Sequence, residues 1–324
     1  MIRFFNNRAW TRVTLTVMSV SLAFTLSATA QADCSTPLDT TEHANGLAHT
    51  MTVDGHPFAI WSKSPAQPKA AVLLVHGRTW SGRPDFDLIT PCEDLSLMNG
   101  LVAAGYAAYA VDMRGYGNTP RDATGWLTPN RAAADLAAVL EWLNAQRIGG
   151  QTQAHLFGWS YGSTMAQLMV QQRPDLAATL TLFGYPVRRG YSTTASDLPE
   201  QAPAKPNTHK NAVSDFITPN SISANAIESF ANAALTADPV RVDWRELEQW
   251  RALDGRKVHL PTLLLQGEFD PLAKKRIHRK LFRRLKNTDK QWVVVKGGDH
   301  AAFMEAPREL FINAFSRFLN QHTN

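Results

Sequence analysis

The chain has 324 residues, of which 44% are hydrophobic, 19% charged and 9% aromatic. That is ample apolar surface for a sizeable core, and it excludes disorder as a description of the whole; one elaborated α/β domain accounts for the length. The formal charge is +5, but Arg3, Arg8 and Arg12 sit in an N-terminal segment expected to be removed, leaving 30 basic against 28 acidic residues, too even a balance for a nucleic-acid-binding face.

Those arginines precede an apolar run at residues 13–26 and small residues around Ala30 and Ala32. A basic start, a short apolar run and a small-residue end predict a secretory signal peptide over 1–32, with cleavage after Ala32 favoured over Ala30. The apolar run falls short of the roughly 20 residues a spanning helix needs, so the mature chain, 33–324, is expected to be periplasmic or secreted with no integral membrane segment. Export would place Cys34 and Cys92, the only two cysteines, in an oxidising compartment, and a Cys34–Cys92 disulfide is predicted.

Residues 49–62 alternate weakly around Asp54-Gly55 and predict an edge hairpin. Continuous apolar runs follow at 71–75, 106–111, 155–157, 180–183, 263–265 and 292–295, the pattern of strands buried on both faces. Between them Leu136, Val139, Leu140 and Leu143 recur at helical spacing, as do Phe311, Ala314, Phe315 and Phe318, which predicts one-faced helices. The alternation predicts an α/β fold, a mostly parallel sheet flanked by helices, with ligands beyond the carboxyl ends of the strands. It breaks over about 186–257, where Ser, Thr, Pro and Asn crowd the chain before Trp244 and Trp250; this stretch is expected to be a cap or lid insertion.

Directly after the run at 155–157 comes Gly158-Trp159-Ser160-Tyr161-Gly162, and then a helical pattern. Strand, G-x-S-x-G and helix in that order lift a serine hydroxyl above the sheet, beside a helix N-terminus whose partial positive charge favours developing negative charge. A serine needs a base to become a nucleophile, and the base needs an orienting acid. Two later strand exits carry Gly267-Glu268-Phe269-Asp270 and Gly297-Gly298-Asp299-His300. The order Ser160, Asp270, His300 resembles the α/β-hydrolase superfamily. The resemblance runs from about residue 50 to the end. It includes His76-Gly77 after the run at 71–75, Asp112-Met113-Arg114-Gly115-Tyr116-Gly117 after the run at 106–111, and Glu305 and Pro307 following His300.

This resemblance implies that Ser160 is the nucleophile, His300 the base and Asp270 its orienting acid. The oxyanion would be held by the backbone N–H groups of Tyr161 and Arg78, with Thr79 as the alternative to Arg78. Asp299, Glu268 and Asp112 are rival acids; Asp112 reads better as a locally paired loop residue. Trp80, Phe216, Trp244 and Trp250 are candidate substrate-binding residues. His76 is expected to be structural and His155 to lie in the core.

No metal site is expected, since H-E-x-x-H is missing and two cysteines cannot build a cysteine-rich zinc site. No cofactor is expected either: Gly115 and Gly117 lack the third glycine of a dinucleotide fingerprint. The basic run from Lys274 to Lys286 carries Ile277, Leu281 and Leu285 every fourth residue, which predicts a helix with a solvated charged face. A serine nucleophile argues against epoxide or haloalkane opening and suits carbonyl substrates, which pass through an oxyanion. The leading expectation is a hydrolase of a small-molecule carboxylic ester, lactones included. A serine aminopeptidase or amidase is the nearest rival, then a C–C hydrolase or a cofactor-free haloperoxidase; a hydrolase-like binding protein is the non-enzymatic one. Sequence leaves the oligomeric state open.

Overall fold

The computed structural model describes residues 46–186 and 198–323. The expected signal segment lies outside the described residues, as does Cys34 and with it the pairing expected with Cys92.

The chain enters the fold through a hairpin, β1 (Leu47–Val53) and β2 (His56–Lys63). Asp54 and Gly55 turn it with φ of 48° and 78°, the left-handed two-residue geometry whose twist matches that of the flanking strands. Then come β3 (Ala71–Val75), α1 (Gly82–Phe86), α2 (Leu97–Ala103), β4 (Ala107–Val111), the two-residue β5 (Trp126–Leu127) and α3 (Pro129–Ala145). Next are β6 (Ala154–Trp159), α4 (Tyr161–Gln172) and β7 (Ala177–Phe183). The stretch before the next main strand holds α5 (His209–Val213), α6 (Ala224–Ala237) and β8 (Asp243–Trp244). The chain ends with β9 (Thr262–Gly267), α7 (Lys275–Arg284), β10 (Lys290–Val295) and α8 (Arg308–Asn320).

The main sheet has the order β1-β2-β4-β3-β6-β7-β9-β10. Pairings β1·β2 and β2·β4 are antiparallel, and those from β4 to β10 are parallel. Because side chains alternate along a strand, each strand feeds two cores. Leu73, Val75, Leu156, Leu180, Leu182 and Leu264 belong to the layer built with α3 and α4. Val72, Leu74, Phe157, Phe183, Leu263 and Leu265 belong to the layer built with α2 and α8. Such two-sided burial is why these strands read as unbroken apolar runs.

Local chemistry sets the helix starts. The Thr128 side chain accepts from the Arg131 N–H with Pro129 in the first turn of α3, and Ser96 and Ser223 cap α2 and α6 in the same way. In α7 the buried positions are His278 and Leu281, while Lys275, Arg276, Arg279, Lys280 and Arg283 are exposed. The described part of the 186–257 stretch stays out of the main sheet; β8 pairs instead with β5, in the connection between β4 and α3. Among the described residues no helix is long and apolar enough to cross a membrane.

Candidate active site

Ser160 occupies the junction of β6 and α4 with φ 53° and ψ −119°, a conformation that is strained for any residue with a β-carbon. The neighbouring glycines make the turn possible. A β-carbon on Gly158 would come within 2.4 Å of the Gly162 carbonyl oxygen, and one on Gly162 within 2.2 Å of that of Val75. The Ser160 N–H donates to the Phe183 carbonyl at 2.9 Å, which anchors the turn to β7.

His300 follows β10 and Asp270 follows β9, both buried. His300 Nδ1 lies 2.8 Å from Asp270 Oδ2. The other carboxylate oxygen accepts from the N–H groups of Leu272 at 2.8 Å and Ala273 at 2.9 Å, so the acid is fixed by its own loop before it meets the imidazole. Ser160 and His300 border one cavity of about 350 Å³, together with Tyr161 and Arg78.

The rival acids are committed elsewhere. Glu268 accepts from the Gly297 N–H at 2.9 Å. Asp299 accepts from the N–H groups of Thr218 and Ala301. Asp112 accepts from those of Gly82 at 2.9 Å and Asn118 at 3.0 Å, which organises the loop after β4. His76 uses Nδ1 toward the Gly77 carbonyl at 2.8 Å and Nε2 toward the Met113 N–H at 3.1 Å; burial pulls its pKa down to about 4, so a neutral ring staples two loops together. His155, buried between Thr179 and Thr323, is likewise pulled down to about 4 by burial.

The geometry bears differently on the two candidate oxyanion donors. Tyr161 opens α4 directly after Ser160, so its N–H sits at the positive end of that helix. The loop of His76, Gly77 and Arg78 abuts Ser160: a β-carbon on Gly77 would sit 3.6 Å from Ser160 Cβ. The Gly77 N–H is already donated to Asp85 at 3.3 Å, and the Arg78 carbonyl accepts from the Tyr116 hydroxyl.

Of the four candidate substrate-binding aromatics, Trp80 and Trp250 border the cavity and Phe216 and Trp244 do not. Phe216 packs on Phe230 with ring centroids 5.1 Å apart. Trp244 donates to the Tyr116 hydroxyl at 3.1 Å and packs edge-on to Tyr161. Both rings are taken up by packing on other aromatic rings.

Three site residues escaped the sequence reading. Trp159 donates its indole N–H to the His300 carbonyl at 2.7 Å, tying the serine's strand to the histidine's loop. Gly184, at φ +59°, lies so close to the pair that a β-carbon there would be 2.9 Å from His300 Cε1. Asp85 is buried in the cavity wall. Trp159 and Gly184 act through contacts distant in sequence and Asp85 through its burial; the G-x-S-x-G frame, which contains Trp159, was the one usable signal among the three.

Comparisons with known proteins agree with this architecture. An epoxide hydrolase of Caballeronia sordidicola is 32% identical over 165 residues, 48% of this chain and 45% of that protein, so the match spans a little under half of the relative. The structure of E-2-(acetamidomethylene)succinate hydrolase aligns with TM-score 0.61 at 22% identity, over 85% of this chain and 99% of the other. A monoacylglycerol lipase of Paleococcus ferrophilus aligns with TM-score 0.56 at 22% identity, over 81% and 99%. Those two likenesses establish the α/β-hydrolase fold. The model of the family described as "Serine aminopeptidase, S33" matches residues 66–307, about three quarters of the 324 residues, and the chain therefore belongs to that family of α/β-hydrolase enzymes.

Proposed function

We propose that this chain is a serine hydrolase that cleaves carboxylic esters, lactones among them, through an acyl-enzyme. The observation that carries the reading is the 2.8 Å contact of His300 Nδ1 with the buried Asp270, on an imidazole that borders the same cavity as Ser160. With Nδ1–H held by a carboxylate, Nε2 is left as the base. In the first half of the cycle it takes the Ser160 proton as Oγ attacks the carbonyl carbon. The N–H groups of Tyr161 and Arg78 hold the oxyanion, and His300 returns the proton to the leaving alcohol. In the second half His300 deprotonates water, which attacks the acyl group and frees Ser160.

The partial relative is named an epoxide hydrolase, yet a serine suits that reaction poorly. Attack of a hydroxyl on an epoxide carbon yields an ether, which water does not cleave, whereas attack on an ester yields an acyl-enzyme that it does. The family's description points instead toward peptide-like substrates, and these share the same oxyanion chemistry.

The test is a fluorophosphonate probe together with p-nitrophenyl acyl esters and aminoacyl p-nitroanilides assayed in parallel. Labelling at Ser160 and ester turnover are expected, with Ser160→Ala losing roughly 10⁴–10⁶ in kcat while remaining folded. Anilide turnover without ester turnover would replace the ester reading by the amidase one, and an unlabelled, inactive folded protein would favour a binding role.

A further inference from the structure

The cavity beside Ser160 contains two carboxylates that hydrolysis does not use. Asp85, in α1, is 1% exposed. Its Oδ2 accepts the Gly77 N–H at 3.3 Å, while its Oδ1 is buried with no hydrogen-bond partner among the described residues. Asp215 accepts the Trp80 indole N–H at 2.8 Å. Both side chains border the same cavity as Ser160 and His300.

The charges felt most strongly by Asp85 are all negative, those of Asp215, Asp238 and Asp112. Asp112 is eased by Arg83 and Asp238 by Arg121, whereas the leading charge effects on Asp85 all come from carboxylates. Burial, followed by the Asp215 charge, holds the Asp85 carboxyl well above the usual carboxylate range; burial lifts that of Asp215 to about 6. Carboxyl groups in this state ionise readily once a cation arrives beside them.

Trp80, Trp159 and Trp250 share the rest of the wall with Tyr161, Arg78, Thr79 and Thr164, and the three indole N–H groups are already engaged. Trp80 spends its N–H on Asp215, Trp159 on the His300 carbonyl, and Trp250 on the Tyr161 hydroxyl at 2.7 Å. These rings therefore offer apolar and π surface to a ligand. An acyl chain would leave Asp85 Oδ1 buried against hydrocarbon, which is costly. An ammonium group meets both features: its charge answers the carboxylates and its substituents pack on the rings. Arg78, which also borders the cavity, is exposed, where solvent and salt screen its opposing charge.

We propose that Asp85 and Asp215, backed by Trp80 and Trp250, form a subsite for a positively charged ammonium group, protonated or quaternary, carried by the substrate. It deepens the ester-hydrolase reading and rests on it for the reaction; the binding itself does not depend on that reading.

The test compares three esters of one short acyl group on the purified protein: the choline ester, the 2-(dimethylamino)ethyl ester and the uncharged 3,3-dimethylbutyl ester. At least one cationic ester is expected to exceed the neutral one by about tenfold or more in kcat/KM, chiefly through KM. The better of the two tells whether a quaternary or a protonated nitrogen is preferred. The cationic-to-neutral ratio should collapse toward one in Asp85→Asn and in Asp215→Asn, and as a ratio it cancels any general loss of activity. The wild-type ratio needs no variant to fold. Calorimetric titration of folded Ser160→Ala with choline and with 3,3-dimethylbutanol reads the subsite without catalysis. Tighter binding of choline supports the subsite even if no ester is turned over, in which case the ester reading alone fails. A ratio near one, or equal binding of choline and its uncharged isostere, overturns the subsite and leaves the ester reading standing.

Discussion

Ser160 keeps a backbone conformation that costs of order 1–3 kcal/mol, and the surrounding packing holds it there: its N–H is bound by Phe183, and glycines flank it on both sides. His300 is held as closely. Gly184, one residue beyond β7, fills the space against His300 and Asp270 only because it lacks a side chain. In Gly184→Ala the new methyl would stand 2.9 Å from His300 Cε1 and 3.0 Å from Nδ1, at a φ of +59° that alanine disfavours. The imidazole must move, and ester turnover is expected to fall by about 10²-fold or more, since displacements of about 1 Å at a reacting group have that effect. Steady-state kinetics on folded variant protein checks this; wild-type kcat would show that His300 tolerates the methyl. Ser160, Asp270 and His300 could be singled out in the sequence because each follows an apolar run and carries its own loop glycines. Gly184 was not, since its role is defined by side chains 86 and 116 positions away.

At the level of elements, the central strands were legible because two-sided burial leaves nothing but apolar residues in them, and α3 and α8 because one-sided burial leaves a helical period. The anchoring of the loops was hidden. Arg114, in the loop after β4, has the composition of a surface residue, yet it is buried and bonds the Asp135 carboxylate of α3 with both prongs, each at 2.9 Å. Arg131 adds a third contact to that carboxylate at 3.1 Å. The same loop supplies the Met113 N–H to His76 and the Tyr116 hydroxyl to the Arg78 carbonyl, so α3 steadies the loop of His76, Gly77 and Arg78 through it. Removing one partner of a buried pair strands the other, so Asp135→Ala is expected to lose about 3–5 kcal/mol. The loss would appear as a lower urea midpoint at unchanged slope. A loss below about 1 kcal/mol would mean that Arg114 finds water instead.

Among the described residues, two stretches some eighty positions apart are tied together at the histidine loop, and that tie is pH-dependent. The stretch expected from its irregular sequence to be a cap or lid insertion meets the loop through the Thr218 N–H on Asp299, the Ser221 hydroxyl on Glu305 at 3.1 Å and the Ala306 N–H on the Ser221 carbonyl at 2.6 Å. No periodicity announces such contacts, which is why this part of the fold was the least legible. Glu305 is buried and also accepts the Asp299 N–H at 3.0 Å. Burial first, and then the neighbouring Asp299 carboxylate, push its pKa up from 4.5 to about 8. Between those values the folded state holds a proton that the unfolded chain has released, so stability falls as pH rises. The contribution is complete below about pH 4.5 and gone above about pH 8. Glu305→Gln keeps a neutral donor toward Asp299 at every pH and should escape the loss. Relative to the variant, the wild type is expected to lose at least about 1 kcal/mol between pH 5 and pH 9, since each unit of pKa difference is worth about 1.4 kcal/mol. Urea midpoints of both proteins across that range measure it. Parallel stability curves for the two would place the Glu305 proton outside the folding equilibrium.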